Sequence, residues 1–85
     1  MERIIDYTTR GTCARGIHIV LEDDIIKEVT FLGGCSGNTQ GVAALVAGMP
    51  VKEAISRLKG IKCGPKSTSC PDQLATALAQ ALENN

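Results

Sequence analysis

The spacing of apolar residues changes once along the chain, just after Cys35, and this change constrains the fold more than any other feature. Before it, apolar and polar residues alternate, so that Ile17, Ile19 and Leu21 share one face of a strand. After it, apolar residues recur at spacings of three and four, as on one face of a helix. Strands followed by helices predict an α+β domain, with the helices packed on one face of a small sheet.

The first half of the chain predicts three strands in sequence, over residues 3–9, 17–22 and 25–32. Short connections between consecutive strands favour an antiparallel meander, and Glu22-Asp23-Asp24 forms the polar turn of its second hairpin. In the third strand, Ile25, Val29 and Phe31 are expected to share one face.

The second half predicts three helices, over residues 38–48, 50–59 and 70–83. Gly48 and Gly60 suit helix ends. In the last helix, Cys70 is expected to be the N-cap, with Pro71 at the first helical position and Asp72 in the first turn. The predicted core consists of apolar residues from all of these elements: Ile19, Leu21, Val29, Phe31, Val42, Leu45, Ile55, Leu58, Leu74 and Leu78.

Length and charge exclude several classes of function. The 85 residues fit a single domain, 1–85, with a modest core. Nine basic and nine acidic residues cancel, and Tyr7 and Phe31 are the only aromatic residues, which argues against binding to nucleic acid or anionic lipid. No charged-then-apolar leader follows Met1, and no apolar run is long enough to span a bilayer, so the sequence predicts a cytoplasmic protein.

Four cysteines, each with glycine or proline within two residues, lie at turns or element boundaries: Cys13, Cys35, Cys63 and Cys70. Thiols on loops can converge where the fold brings those loops to one end of the sheet. In a reducing compartment, four cysteines indicate metal or redox chemistry more than a disulfide framework. The leading hypothesis is therefore one metal site, Zn or an iron–sulfur cluster, with all four as ligands.

Nearby charges are compatible with this hypothesis. Four thiolates around Zn²⁺ carry a net charge of about −2, which the cations Arg10, Arg15, Lys62 and Lys66 would offset. An alternative interpretation is that these cations are ordinary solvated charges of surface loops. No C-x2-C knuckle is present, so two alternatives stay open. One is a thiol carrier that uses a reversible Cys63–Cys70 disulfide, and the other is an interaction module without chemistry.

Other candidate sites are weaker. His18 lies on the polar face of its strand and is expected to be a surface histidine. Asp23-Asp24 is interpreted as a turn and not as a catalytic pair. The glycines at Gly33-Gly34 and Gly37 lie between a strand and a helix, but the phosphate-binding motif with its lysine is absent. No catalytic residue is therefore assigned.

Two segments resemble a known family. Thr68-Ser69-Cys70-Pro71-Asp72 and Gly33-Gly34-Cys35-Ser36-Gly37-Asn38 are similar to the signatures of the TSCPD domain family, over nearly the whole chain. That family occurs as small stand-alone proteins and as a C-terminal module of adenosylcobalamin-dependent ribonucleotide reductases, and is regarded as a candidate metal-binding domain. The resemblance implies an accessory domain that is not a complete enzyme. It implies as partner a ribonucleotide reductase or another redox enzyme. A second copy, in a homodimer, is the partner that the alternative of an interaction module allows.

A more distant resemblance is to the NifU/IscU-type iron–sulfur scaffolds, which also place strands before helices. Cys13, Cys35 and Cys70 match the positions of their three ligand cysteines, and Cys63 is an additional thiol. Arg15 replaces the acidic residue of those scaffolds, and Ser69 replaces their histidine. These departures favour a closed four-cysteine site over cluster transfer. The positions expected to support the ligands are Arg15, Gly34, Asn38 and Asp72.

Overall fold

Three strands precede three helices in a computed structural model that describes residues 1–34 and 36–83. The strands are β1 (Glu2–Thr8), β2 (Ala14–Glu22) and β3 (Ile25–Gly33), and the helices are α1 (Ser36–Val46), α2 (Val51–Leu58) and α3 (Cys70–Glu83). The predicted α+β arrangement is confirmed.

The sheet is an antiparallel meander in the order β1-β2-β3, as predicted. Strand β2 lies in the centre and pairs Ile19 with Ile5 on one side and with Val29 on the other. The turn between β2 and β3 contains Asp23, whose φ of 54° is one that aspartate tolerates better than most residues. Strand β2 begins at Ala14, three residues before the predicted start at Ile17, because pairing with β3 extends to Gly33.

The core lies between one face of the sheet and the helices. Its fully buried side chains of largest volume come from β2, β3, α2 and α3: Ile17, Ile19, Leu21, Ile26, Leu74, Leu78 and Val51. On the other face of the sheet, no helix of residues 1–34 and 36–83 covers Ile4 and Leu32, which are exposed. Helices therefore cover one face only, as the sequence predicts.

The prediction that Ile25 shares a face with Val29 and Phe31 is wrong. Ile26 is completely buried, whereas Ile25 is 39% exposed. The cause is a bulge: Val20 pairs with Glu28 and Leu21 pairs with Ile26, so that Lys27 has no partner in β2. An extra residue shifts the alternation of faces by one position, which the sequence pattern does not reveal.

The prediction that Leu45 belongs to the core is also wrong, because its side chain is 77% exposed. The face of α1 that is turned inward carries Thr39, Val42, Ala43 and Val46, which follow the helical spacing of three and four. A polar residue, Thr39, is buried at the start of this stripe. The other predicted core residues are buried or packed against the core.

None of the helices in residues 1–34 and 36–83 has both the length and the apolar character that crossing a bilayer requires.

The two leucines give a matched test of this core. Leu78→Ala removes a completely buried side chain and should lower the free energy of unfolding by about 2–5 kcal/mol. Leu45→Ala should change it by no more than about 0.5 kcal/mol, because the side chain lies in solvent. Urea denaturation followed by circular dichroism measures both. Equal losses for the two variants would contradict the packing of α1 and α3.

Candidate functional site

The candidate site lies at one end of the sheet, where β1 ends at Thr8, β2 begins at Ala14 and β3 ends at Gly33. We call it the cysteine end. The loop between β1 and β2 is held closed by two side chains, since the hydroxyls of Thr9 and Thr12 both donate hydrogen bonds to the carbonyl oxygen of Ala14. Cys13 lies in this loop and is exposed.

Gly34 brings the end of β3 against the start of β2. A Cβ atom at Gly34 would lie 3.1 Å from the backbone nitrogen of Ala14, and the φ of Gly34 is +85°. Only glycine fits both the space and the backbone angle. The residues that adjoin Cys13 and Cys35 in sequence are therefore in contact, while Cys35 itself lies outside the described residues.

Ser69 caps the N-terminus of α3. Its hydroxyl accepts a hydrogen bond from the backbone N–H of Asp72 at 3.1 Å and donates one to the carbonyl oxygen of Ile61 at 2.6 Å. The helix begins at Cys70, so the prediction of Cys70 as N-cap is wrong by one residue. A hydroxyl accepts the helix N–H groups better than a thiol does, and serine is a preferred N-cap residue.

Asp72 ties this cap to the end of α2. One carboxylate oxygen accepts a hydrogen bond from the N–H of Gly60 at 2.7 Å, and the other accepts one from the hydroxyl of Thr68. These bonds to Thr68 and Gly60, aided by the charges of Lys59 and Lys62, lower the pKa of the Asp72 carboxyl below its ordinary value of 3.8. The five residues 68–72 thus contain a cap and a tether for the segment that connects α2 and α3.

Three contacts bring this connecting segment and the first turn of α3 to the β1–β2 loop. A Cβ atom at Gly11 would lie 3.1 Å from the methyl carbon of Thr68. The backbone N–H of Arg10 donates to Oε1 of Gln73 at 3.1 Å. The ammonium of Lys66 donates to Sγ of Cys13 at 3.7 Å. The loop that contains Cys13 therefore lies beside the segment that contains Cys63 and Cys70.

The described thiols differ in access. Cys13 and Cys63 are exposed, Cys70 is buried at the first position of α3, and all three are free thiols. Cys63 opens a turn, because its carbonyl oxygen accepts from the N–H of Lys66 and its N–H donates to the carbonyl oxygen of Thr68. Within residues 1–34 and 36–83, no three His, Cys, Asp or Glu side chains are grouped so that they would hold a metal ion. That statement does not include Cys35.

The predicted supporting residues have different surroundings. Arg15 is the unpaired residue of a bulge between Ala14 and Gly16, and its side chain lies along Gly33. Asn38 is exposed in the first turn of α1.

His18, predicted to be at the surface, is partly exposed. Its Nδ1 lies 2.6 Å from a carboxylate oxygen of Asp6, on the uncovered face of the sheet.

Sequence reasoning missed the contacts that hold the site together, although it named Lys66 as a nearby cation and Ser69 as the residue in place of a histidine. Thr68 and Ser69 provide hydroxyls to the cap, and Lys66 contacts Cys13 across 53 positions of sequence. The spacing Ser-x-x-Asp at 69–72 resembles a capping box and points to Ser69 as N-cap. The contact of Lys66 has no such signal, because it depends on tertiary structure.

Fold and site together define a small α+β domain in which cysteine-bearing loops meet at the capped N-terminus of the last helix. The chain belongs to the TSCPD domain family, whose family model matches residues 1–82. No curated protein and no solved structure shows a significant match to it. The signature Thr68-Ser69-Cys70-Pro71-Asp72 coincides with the helix cap and its tether.

The lowered pKa of Asp72 gives the tether a pH dependence. A carboxyl whose folded pKa lies below its unfolded value stabilises the fold above the unfolded value, 3.8, and this stabilisation is lost as the pH falls through the folded pKa. Asp72→Asn should therefore be less stable than the natural protein at pH 7, with a deficit that shrinks below pH 3.8.

Asp24→Asn is the matched control, because Asp24 is exposed and its carboxylate has no hydrogen bond within the described part of the chain. Urea denaturation of the three proteins across this pH range measures the effect. A deficit for Asp72→Asn that is the same at neutral and acid pH would show that charge at this position contributes nothing.

Proposed function

We propose that this protein is a small accessory domain that binds a metal, Zn or an iron–sulfur cluster, through Cys13, Cys35, Cys63 and Cys70. One observation carries the proposal: the loop with Cys13 lies beside the segment with Cys63 and Cys70, and the residue before Cys35 touches the residue after Cys13. A metal site built from separate parts of the chain requires that the three segments which carry these cysteines meet at one end of the sheet.

The chemistry of the donors favours a thiolate-binding metal. Thiolates select Zn and iron–sulfur clusters, whereas Mg²⁺ and Ca²⁺ prefer oxygen donors. The only described carboxylate at the helix cap, that of Asp72, is already bonded to Thr68 and Gly60. The cysteines are therefore the donors left for a metal at this end.

Ligation by all four thiols would require the connecting segment to adjust. Cys70 is fixed in α3, but residues 61–67 are exposed and lie outside helices and strands. Movement of Cys63 with this segment would bring its thiol to the other cysteines and so complete the set of metal ligands. In a domain of 85 residues, metal binding of this kind contributes directly to folding free energy.

The Lys66 ammonium beside Cys13 also fits this proposal. A positive charge next to a sulfur is complementary to a metal-bound thiolate. As a member of the TSCPD domain family, the chain is proposed to serve a ribonucleotide reductase or another redox enzyme as such an accessory domain. No catalytic residue of its own is part of the proposal.

Metal content and thermal stability test the proposal together. Protein purified without added metal should contain about one Zn or a few Fe per chain. Cys35→Ser and Cys63→Ser should each lower the melting temperature of the metal-loaded protein far more than that of chelator-treated protein. Cys63 is the sharper probe, because its exposed side chain makes no packing contribution to the metal-free fold.

Ser67→Ala serves as the control, since it changes an exposed residue of the same segment without removing a ligand. It should leave metal content and both melting temperatures unchanged. Metal-free protein that takes up neither Zn²⁺ nor a reconstituted cluster would contradict the proposal, as would full metal retention by Cys63→Ser.

A second candidate function is that of a thiol carrier, which is favoured by the free thiols of Cys63 and Cys70 and by the exposure of Cys63. In that function, two thiols form a disulfide, lose two electrons and release two protons, and the electrons go to the disulfide of a partner reductase. The pair named by the sequence is Cys63 and Cys70. Here the metal-free protein should lose two thiols together on mild oxidation, and Cys70→Ser should leave Cys63 as a single unpaired thiol.

A further inference from the structure

Charge is distributed unevenly along the sheet although the whole chain is neutral. Exposed cations collect at the cysteine end, on the β1–β2 loop, at the start of β2 and on the segment between α2 and α3: Arg10, Arg15, Lys59, Lys62 and Lys66. The opposite end carries Glu2, Glu22, Asp23 and Asp24. Nine residues of β2 separate the two ends by about 30 Å, which is several times the Debye length at physiological salt.

The cations of the cysteine end have no carboxylate partners within residues 1–34 and 36–83. The ion pairs of the described chain involve Met1, Lys27 and Arg57, and also the His18–Asp6 pair. The acids nearest the cysteine end are Asp72 and Asp6. Asp72 is hydrogen-bonded to Thr68, and Asp6 is paired with His18. Five positive charges without an ion pair therefore face solvent at one end of a small domain, and the Asp72 carboxylate, which interacts with the charges of Lys59 and Lys62, offsets one of them.

Apolar side chains lie among these cations. Leu32, near the end of β3, and Ile61, just after α2, are both exposed. A shallow cavity of about 350 Å³ is lined by Leu32, Gly16 and Arg15, and also by Asp6, whose carboxylate is paired with His18. Protein interfaces combine apolar contacts with a polar rim and are enriched in arginine, whereas a polyphosphate would make no favourable contact with Leu32 or Ile61.

We propose that the cysteine end is a docking surface for an acidic polypeptide segment of a partner protein. Carboxylates of the segment pair with Arg15 and Lys62, and an apolar side chain of the segment contacts Leu32. Arginine suits this role because its guanidinium binds carboxylates through two parallel hydrogen bonds. The inference goes beyond the proposed metal site, because it depends on the placement of charge and not on ligation.

Two other ligands of this surface, single-stranded nucleic acid and a second copy of the chain, fit the structure less well. Single-stranded nucleic acid binds through aromatic stacking, but Tyr7 and Phe31 are partly buried and packed against the core. A second copy would have to present its acidic end. In that end, Glu2 is paired with Lys27, and Asp23 with the N-terminal ammonium. Those carboxylates are less available than the ones of an external segment.

Peptide binding tests the proposal. The probe is a short fluorescein-labelled peptide of alternating glutamate and leucine, and its counterpart has lysine in place of glutamate. Fluorescence anisotropy with chelator-treated protein should show binding of the glutamate peptide, weakening as salt is raised to about 0.15 M. Arg15→Gln combined with Lys62→Gln should weaken binding about fivefold, as expected for the loss of two exposed ion pairs.

Lys27→Gln combined with Lys52→Gln is the matched control, because it removes two exposed cations away from the cysteine end. It should change the affinity less than twofold. Equal losses for the two double variants would overturn the proposal, as would equal binding of the lysine peptide or no binding of the glutamate peptide at low salt.

Two further results would assign this surface to a different ligand. Tighter binding of single-stranded oligothymidine than of the glutamate peptide would assign the surface to nucleic acid and overturn the proposal. So would sedimentation that shows a dimer abolished by the Arg15 and Lys62 substitutions. Because the protein is free of metal in this experiment, failure of the metal proposal does not change its expected result.

Discussion

The geometry of the cysteine end depends on the carboxylate of Asp72. It accepts hydrogen bonds from the N–H of Gly60 and the hydroxyl of Thr68, which link the end of α2 to the start of α3. Thr68 in turn packs against Gly11 of the β1–β2 loop. These hydrogen bonds of Asp72 therefore also position the connecting segment, and with it Cys63, relative to Cys13. In the family signature at residues 68–72, the polar residues on either side of Cys70 and Pro71 therefore have a structural role, since they form the helix cap and its tether.

Much of the fold is predictable from the sequence because local patterns determine it. Alternation predicts the strands, the spacing of three and four predicts the helices, and short connections give the meander. Two errors have physical causes that the pattern does not show. A bulge at Lys27 moves Ile26 into the core in place of Ile25, and the inward face of α1 includes Thr39 and Val46, which leaves Leu45 in solvent. Each error shifts a face without changing an element.

The candidate site was predictable only in part. Glycine and proline beside each cysteine indicate loops, and the order of strands and helices indicates which loops meet. The contact of Lys66 with Cys13, and that of Gln73 with the backbone of Arg10, join segments more than 50 positions apart. Such contacts depend on how helices pack on the sheet, for which local sequence carries no signal. The separation of charge between the two ends also depends on tertiary structure, and the net charge of zero gives no indication of it.

The central claim is that the four cysteines act as one ligand set at this end of the sheet. X-ray absorption spectroscopy of the protein loaded with Zn²⁺ tests it most directly, because the first coordination shell reports ligand type and distance. The account predicts a shell of sulfur only, at about 2.3 Å from the metal. A shell dominated by nitrogen or oxygen at about 2.0–2.1 Å would contradict it, since it would place the metal on other residues of the chain or on solvent.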